Sequence, residues 1–480
     1  MIYQEASAVK KITMGINDLA VQNKPFRWRT FQALLRSPAR LAVMGFACLI
    51  AAGTAILMLP SATNGTELGF INALFTATSA ACVTGLVVVD TGTKLSLFGQ
   101  CTVLVLIQVG GLGIMTLSTL LILMVGRRPG LANQRLVFDS FTQGGEKSLK
   151  SILGHVVLFT GVIELIGAIV LFIKFSSSYG MVESIYSAIF HSISAFCNAG
   201  FCLSLDSLTA YREDWLINAV FCFLIISGGI GFLVLAELKR KMPLGRRGLS
   251  RLSLHSKIVL TTSFFLIVFG SLLITTMEWR NTLSPLSVSG RFAAGVFQAV
   301  SARTAGFNTL SIGGMANETL FILMILMFIG ASPGSCGGGI KTSTFASLIV
   351  LGISRLQGSS RPRVFYRSIA RESIEKAVSL VMVSMAVVIT ATMMLLMSEI
   401  GDVSHTVSRG LFLELLFEVI SAFGTVGLST GITPGLSAAG KLILTLVMFV
   451  GRLGPLAVAV ALSQRKEPAY YYAEENIMIG

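Results

Sequence analysis

The chain has 480 residues, of which 53% are hydrophobic and only 12% charged, with a formal net charge of +14. So apolar a composition over this length excludes a soluble globular domain and a disordered chain, and identifies a polytopic membrane protein. The excess Lys and Arg lie between apolar runs, where membrane topology or attraction to anionic lipid accounts for them without a nucleic-acid partner.

Residues 1–38 form a polar, basic tail that lacks the short apolar core and cleavage site of a signal peptide. An apolar run at about 40–60 follows, long enough to cross ~30 Å of hydrocarbon. A short helix is predicted over 71–81, then an extended segment over 82–88, then a second run at about 99–125. Helix 71–81 would rise only about 16 Å, so it should enter from outside and turn back. Paired runs recur at about 151–174 and 214–238, 257–278 and 317–350, and 377–400 and 438–463. They define four units, 39–125, 151–238, 257–350 and 377–463, and a C-terminal tail, 464–480. Eight crossings leave both termini on one side. Seven Lys or Arg in 1–40, five in 125–150, seven in 239–257 and six in 353–376 place that side in the cytoplasm.

Within each pair the same phrase recurs: SAACVTG from Ser79 to Gly85, SAFCNAG from Ser194 to Gly200, SARTAG from Ser301 to Gly306 and SAFGTVG from Ser421 to Gly427. The terminal glycines are 115, 106 and 121 residues apart, so one unit has been used four times. Extended backbone at membrane depth is tolerated only if buried in protein or facing water. Four such segments around a pseudo-fourfold axis satisfy that condition together, and their carbonyl groups can ring a partly dehydrated cation. Glycine suits each centre because it accepts positive φ. Each preceding short helix would aim the negative end of its dipole at the ring. The expected fold is an all-α integral membrane protein of four helix–pore loop–helix repeats around a central pore.

The second run of each unit also carries glycines: QVGGLGIM at 108–115, SGGIGFL at 227–233, GASPGSCGGGIKT at 330–342 and VGRLGPL at 450–456. Small residues there permit close helix approach or a break. The third, with Pro333 and five glycines, is not expected to be one continuous helix.

CVTGLVVVDTG at 82–92, HSISAFCNAGF at 191–201, SARTAGFNT at 301–309, GGGIKTSTF at 337–345 and SAFGTVGL at 421–428 resemble, in this order, the Trk/Ktr/HKT superfamily of potassium transporters. The short tail before the first repeat is most similar to the KtrB type of membrane subunit. The resemblance implies a single cation pore within one chain. Its filter would comprise Gly85, Gly200, Gly306 and Gly427 with the carbonyls of Val83, Thr84, Asn198, Ala199, Thr304, Ala305, Thr425 and Val426, which would hold potassium. The third copy departs slightly, being one residue shorter between Phe297 and Gly306. The stretch Gly330 to Gly339 matches the family's intramembrane gate loop, represented here by Gly330, Ser332, Pro333, Gly334, Ser335, Gly337, Gly338, Gly339 and the adjoining Lys341. Arg452 matches an arginine that projects into the pore, where fixed positive charge raises the barrier to a cation until the loop moves. Also implied are a homodimer, a cytosolic ring of nucleotide-binding RCK subunits, and residence in a bacterial inner membrane. ATP or ADP would act only through that separate ring. Sodium is a candidate activator, and no covalent cofactor is implied.

Other signals read more plainly. Arg303, inside the third motif, is expected behind the filter in an ion pair, with Glu418 of the fourth pore helix as partner. GSCGGGIKT from Gly334 is not a phosphate loop, because Ile340 interrupts the required GKT. His155, His191, His255 and His405 show no ligand spacing, and seven scattered cysteines form no disulfide framework. Lys466 to Tyr472 reads as a solvated tail. The alternative is a sodium- or proton-coupled secondary transporter of another solute, which would normally show inverted repeats and a midplane site. A membrane enzyme or receptor would need a polar catalytic constellation or a large soluble module, and the sequence displays neither.

Overall fold

The computed structural model describes residues 38–113, 149–241, 251–359, 361–404, 406–455 and 458. Much of the predicted tails, of the run 99–125 and of the linkers 125–150 and 239–257, and the end of the last apolar run, with His405 and Lys466 to Tyr472, lie outside these residues. Each unit begins with a long apolar helix: α1 (Pro38–Leu57), α4 (Leu149–Phe175), α8 (Leu254–Met277) and α12 (Arg371–Glu399). All four are long and apolar enough to cross a membrane. Leu158, Leu165, Ile169 and Ile173 of α4 are each more than half exposed, as suits a surface facing hydrocarbon.

A short helix, the expected pore helix and so called below, follows in each unit: α2 (Phe70–Ala81), α5 (Met181–Phe196), α9 (Val288–Ser301) and α13 (Leu411–Gly424). Their lengths of 12 to 16 residues fall short of a crossing, as the sequence pattern requires. A wholly buried phenylalanine anchors each one: Phe75, Phe190, Phe297 and Phe417.

The second helices are α3 (Leu97–Gly111), α6 (Trp215–Ile230) with α7 (Phe232–Lys241), α10 (Asn317–Phe328) with α11 (Thr342–Leu356), and α14 (Ala438–Leu453). Ser96, Asp214 and Ser437 cap the N-termini of α3, α6 and α14 by accepting bonds from backbone N–H groups one turn on. Two of the apolar runs are broken, that of the third unit as its sequence predicts. α6 and α7 meet at a 102° bend, and residues 329–341 separate α10 from α11. Gly113, Gly231 and Gly454, at the equivalent ends, all have positive φ. Hydropathy counts glycine as harmless in an apolar run, whereas a left-handed glycine ends an α-helix. The glycines just before these breaks explain close packing as well. A Cβ on Gly110, Gly228 or Gly451 would collide with the carbonyl oxygen of Ala81, Phe196 or Phe423, at the C-terminus of the same unit's pore helix.

Units join in a cycle, because each second helix packs on the next unit's pore helix. α3 meets α5, α6 meets α9, α10 meets α13, and α14 returns to α2. A two-stranded hairpin, β1 (Arg363–Val364) with β2 (Arg367–Ser368), links α11 to α12.

Candidate functional site

The four motif glycines meet at the centre of this cycle. A Cβ on Gly85 would strike the Ala199 carbonyl oxygen, one on Gly200 would press on that of Ala305, one on Gly306 on that of Val426, and one on Gly427 on that of Thr84. The contacts run from first unit to second, third, fourth and back to first, so the extended segments form a closed ring with no room for side chains at these positions. Their φ angles are 91°, 69°, 79° and 91°. Two residues earlier, Val83, Asn198, Thr304 and Thr425 are also left-handed, at 54°, 59°, 73° and 49°. Alternating left- and right-handed residues turns successive carbonyl groups toward one side of a strand. Positive φ in a non-glycine residue costs of order 1–3 kcal/mol and persists only where surroundings over-determine it.

The motif serines supply that constraint. The carbonyls of Ser79, Ser194, Ser301 and Ser421 accept the N–H groups of Thr84 (2.8 Å), Ala199 (2.8 Å), Ala305 (2.9 Å) and Val426 (2.9 Å). The hydroxyls of Ser79 and Ser421 accept from Gly85 N and Gly427 N at 3.1 Å, while those of Ser194 and Ser301 donate to the carbonyls of Phe201 and Phe307. Each segment therefore caps its own pore helix, using carbonyls that would otherwise be unpaired at membrane depth. Sequence reasoning assigned these serines no role, although their fourfold recurrence was the available signal.

Against one face of the ring lies the glycine-rich loop, 329–341. A Cβ on Gly337 would collide with Thr304 Oγ1 and one on Gly338 with Thr425 Oγ1, while Gly338 N donates to Thr425 Oγ1 at 3.0 Å. Ile329 and Ile340 pair at the loop's base. The amides of Ser332 and Cys336 donate to the carbonyls of Gly229 (3.0 Å) and Gly228 (3.1 Å), at the end of α6. Two cationic side chains hold it further. Lys341 Nζ donates to the Gly337 carbonyl at 2.6 Å, and Arg452 donates from Nη1 to the Cys336 carbonyl and from Nη2 to the Gly110 carbonyl. Arg452 is thus a buried strap between the loop and the first unit, paired with carbonyl groups and with no carboxylate among the described residues.

Comparison with known proteins decides what kind of molecule carries this ring. The family model described as TrkH, cation transport protein, matches residues 22–470. The chain belongs to the TrkH cation transport family. Its members are transporters, not enzymes. The chain is 38% identical to the Ktr system potassium uptake protein B of Bacillus subtilis, over 96% of this chain and 99% of that protein. It is 35% identical to the potassium/sodium uptake protein NtpJ of Enterococcus hirae, over 92% of this chain and 97% of that one. The crystal structure of the potassium transporter TrkH from Vibrio parahaemolyticus shares the fold, with a TM-score of 0.69 at 18% identity, covering 88% of this chain and 84% of that one.

One expectation for this TrkH-family chain is corrected. Arg303 and Glu418 do not pair. Arg303 Nη2 donates to Ser263 Oγ of α8 at 3.0 Å, in a small space otherwise lined by apolar residues of α6, α8 and α9 such as Ile225 and Ile267. Glu418 instead accepts from Ser429, Thr430 and Thr433 of its own unit. The one-residue deletion in the third motif removes any simple register argument for their meeting. His191 is buried among Phe175, Phe190 and Phe221, and His255 lies apart near the start of α8; no group of metal ligands occurs among the described residues.

Proposed function

We propose that this protein takes up potassium through a channel-like pore at the glycine ring, gated by the loop 329–341. The carrying observation is the closed contact cycle of Gly85, Gly200, Gly306 and Gly427. In this reading, carbonyls of the twelve segment residues Val83–Gly85, Asn198–Gly200, Thr304–Gly306 and Thr425–Gly427 replace part of a potassium ion's hydration shell. Four pore-helix C-termini, whose partial negative charge favours a cation, support the same site. The names of the Bacillus and Enterococcus relatives favour potassium, and the latter also brings sodium into consideration.

The loop suits a gate because it lies against Thr304 and Thr425 while Arg452 and Lys341 keep positive charge beside the path. Membrane potential, worth ~2.3 kcal/mol per charge per 100 mV, would drive inward movement. We further propose a homodimer in a bacterial inner membrane with cytoplasmic termini, regulated by a separate nucleotide-binding RCK ring that carries ATP or ADP. The exposed hairpin residues Arg363 and Arg367 offer one contact for that ring, and sodium is a candidate activator.

Potassium-limited growth of a bacterium lacking its own uptake systems, expressing this chain with its regulator, tests the reading. Rescue by wild type and none by Gly306→Asp is expected. Failure of membrane-inserted wild type to rescue growth or to take up rubidium in vesicles would overturn it.

A further inference from the structure

The pore helices share a polar position that ion coordination leaves unused. Directly after each anchoring phenylalanine stands a buried Thr76, His191, Gln298 or Glu418, three residues before the motif serine. Helical spacing puts this residue on the serine's side of the helix, behind the filter segment. What the four touch differs from unit to unit.

Glu418 Oε1 accepts from Ser429 Oγ and from Thr430 N (3.3 Å), and its Oε2 accepts from Thr433 Oγ1 (2.8 Å). Ser429 and Thr430 are the second and third residues beyond Gly427, so the carboxylate grips the limb by which the fourth segment leaves the ring. His191 grips the corresponding limb of the second. Its Nδ1 lies 2.8 Å from the Ser187 carbonyl and therefore carries the proton, leaving Nε2 to accept, 3.1 Å from Cys202 Sγ and 3.4 Å from Leu203 N. Cys202 and Leu203 are again second and third beyond the glycine. Thr76 only turns back on its own helix, donating to the Asn72 carbonyl at 2.8 Å. In the third unit both amide atoms of Gln298, and the hydroxyl of Thr309, lack a hydrogen-bond partner among the described residues. Because units follow one another around the ring, the second and fourth face each other across it. Pore-helix side chains brace two opposite limbs; the third limb is held instead from its neighbour, Asn308 N donating to Ser207 Oγ at 3.2 Å, and the first by no pore-helix side chain among the described residues.

We propose that Glu418, with His191 as its diagonal counterpart, is a positioning residue that sets the filter's discrimination among alkali cations; this rests on the potassium-pathway reading above. Filter carbonyls lie one to three peptide units from the braced atoms, so their freedom to close around a smaller ion follows the brace. Discrimination by a carbonyl ring depends on the cavity those oxygens define and on how far they relax. Supporting groups must hold such a geometry to about 0.5 Å. Three hydrogen-bond donors, rather than a cation, satisfy Glu418, so the limb is fixed by a connected network rather than by one ion pair.

The test uses full-length wild type, Glu418→Gln, Glu418→Ala, the double variant Ser429→Ala/Thr433→Val, and Thr76→Val, each reconstituted in vesicles. Radiolabelled rubidium and sodium uptake are measured on the same preparation. The rubidium-to-sodium ratio should fall about fivefold or more in Glu418→Ala and in the double variant. A smaller fall is expected in Glu418→Gln, which keeps an oxygen for Ser429 and Thr430, and no change in Thr76→Val. Loss of folded protein lowers both fluxes and leaves their ratio unmoved, which separates positioning from mere stability. An unchanged ratio in the double variant overturns the brace, even if Glu418→Ala does not assemble. Rubidium-impermeable wild type overturns the pathway reading on which the brace depends.

Discussion

The ring and the loop against its face are both glycine-rich backbone, yet they differ in where most of their hydrogen bonds go. Ring segments bond mainly to the helix that leads into them: Thr84 to Ser79, Ala199 to Ser194, Val426 to Ser421, each five residues back, with one bond between units, Asn198 to Thr304 Oγ1 at 3.2 Å. The loop, besides its own Lys341–Gly337 and Ile329–Ile340 contacts, leans on other units, through Gly228 and Gly229 of the second, Thr425 and Arg452 of the fourth and, through Arg452, Gly110 of the first. A part fixed by its own segment keeps its shape when neighbours shift. A part tied to its neighbours moves when they do, as the gate proposed above would have to.

The largest effect should come from breaking the ring. Gly85→Asp or Gly306→Asp puts a side chain into a neighbouring carbonyl at a positive-φ site. Rubidium uptake should fall by roughly a hundredfold or more, equivalent to ~2.7 kcal/mol, with membrane content measured in parallel. Deleting Gly334 to Gly338 should act oppositely, raising uptake about tenfold and weakening its dependence on the regulator; equal loss of flux in both variants would erase the distinction between ring and loop. Arg452→Gln should raise uptake somewhat less, since hydrogen bonds to a charged group contribute ~1.5–3 kcal/mol each and these tie the loop down. Arg303→Met sharpens the ring's side of the comparison. No carboxylate is stranded by it, so the ~3–5 kcal/mol typical of a broken buried pair should not appear. Detergent-solubilised protein should shift in Tm by a few degrees at most.

The smallest effect concerns the C-terminal end of α8. Burial alone would raise the Glu278 carboxyl, but bonds from Thr319 Oγ1, Ala316 N and Thr282 outweigh it and hold the group below the usual glutamate range. A depressed carboxyl stabilises the fold above its unfolded pKa and loses that contribution as pH falls through the folded value. Glu278→Gln should therefore lower Tm at neutral pH, by an amount that shrinks below about pH 4.

The repeat, the short pore helices and the central glycines were legible because each is written four times in the same order. The serine constraint was equally repeated, but a hydroxyl's partner depends on where the backbone turns, which periodicity does not report. At Gly113, Gly231 and Gly454 the sequence offered either close helix approach or a break, and hydropathy could not choose between them because it does not report a glycine's φ. The Arg303–Glu418 pairing failed because opposite charge in two similar motifs says nothing about which way each side chain leaves its helix. Arg452 drew notice through the family resemblance, while its carbonyl partners, Cys336 on the loop and Gly110 at the end of α3, became visible only in three dimensions.

Closure between Gly427 and Thr84 also bears on biogenesis. The contact that completes the circle joins the first repeat to the last, so a nascent chain that has inserted only three repeats cannot assemble an ion-tight perimeter or a continuous lining. Joining ends so distant along the polypeptide is slow. On the pore reading proposed above, a conducting path therefore waits on the last repeat.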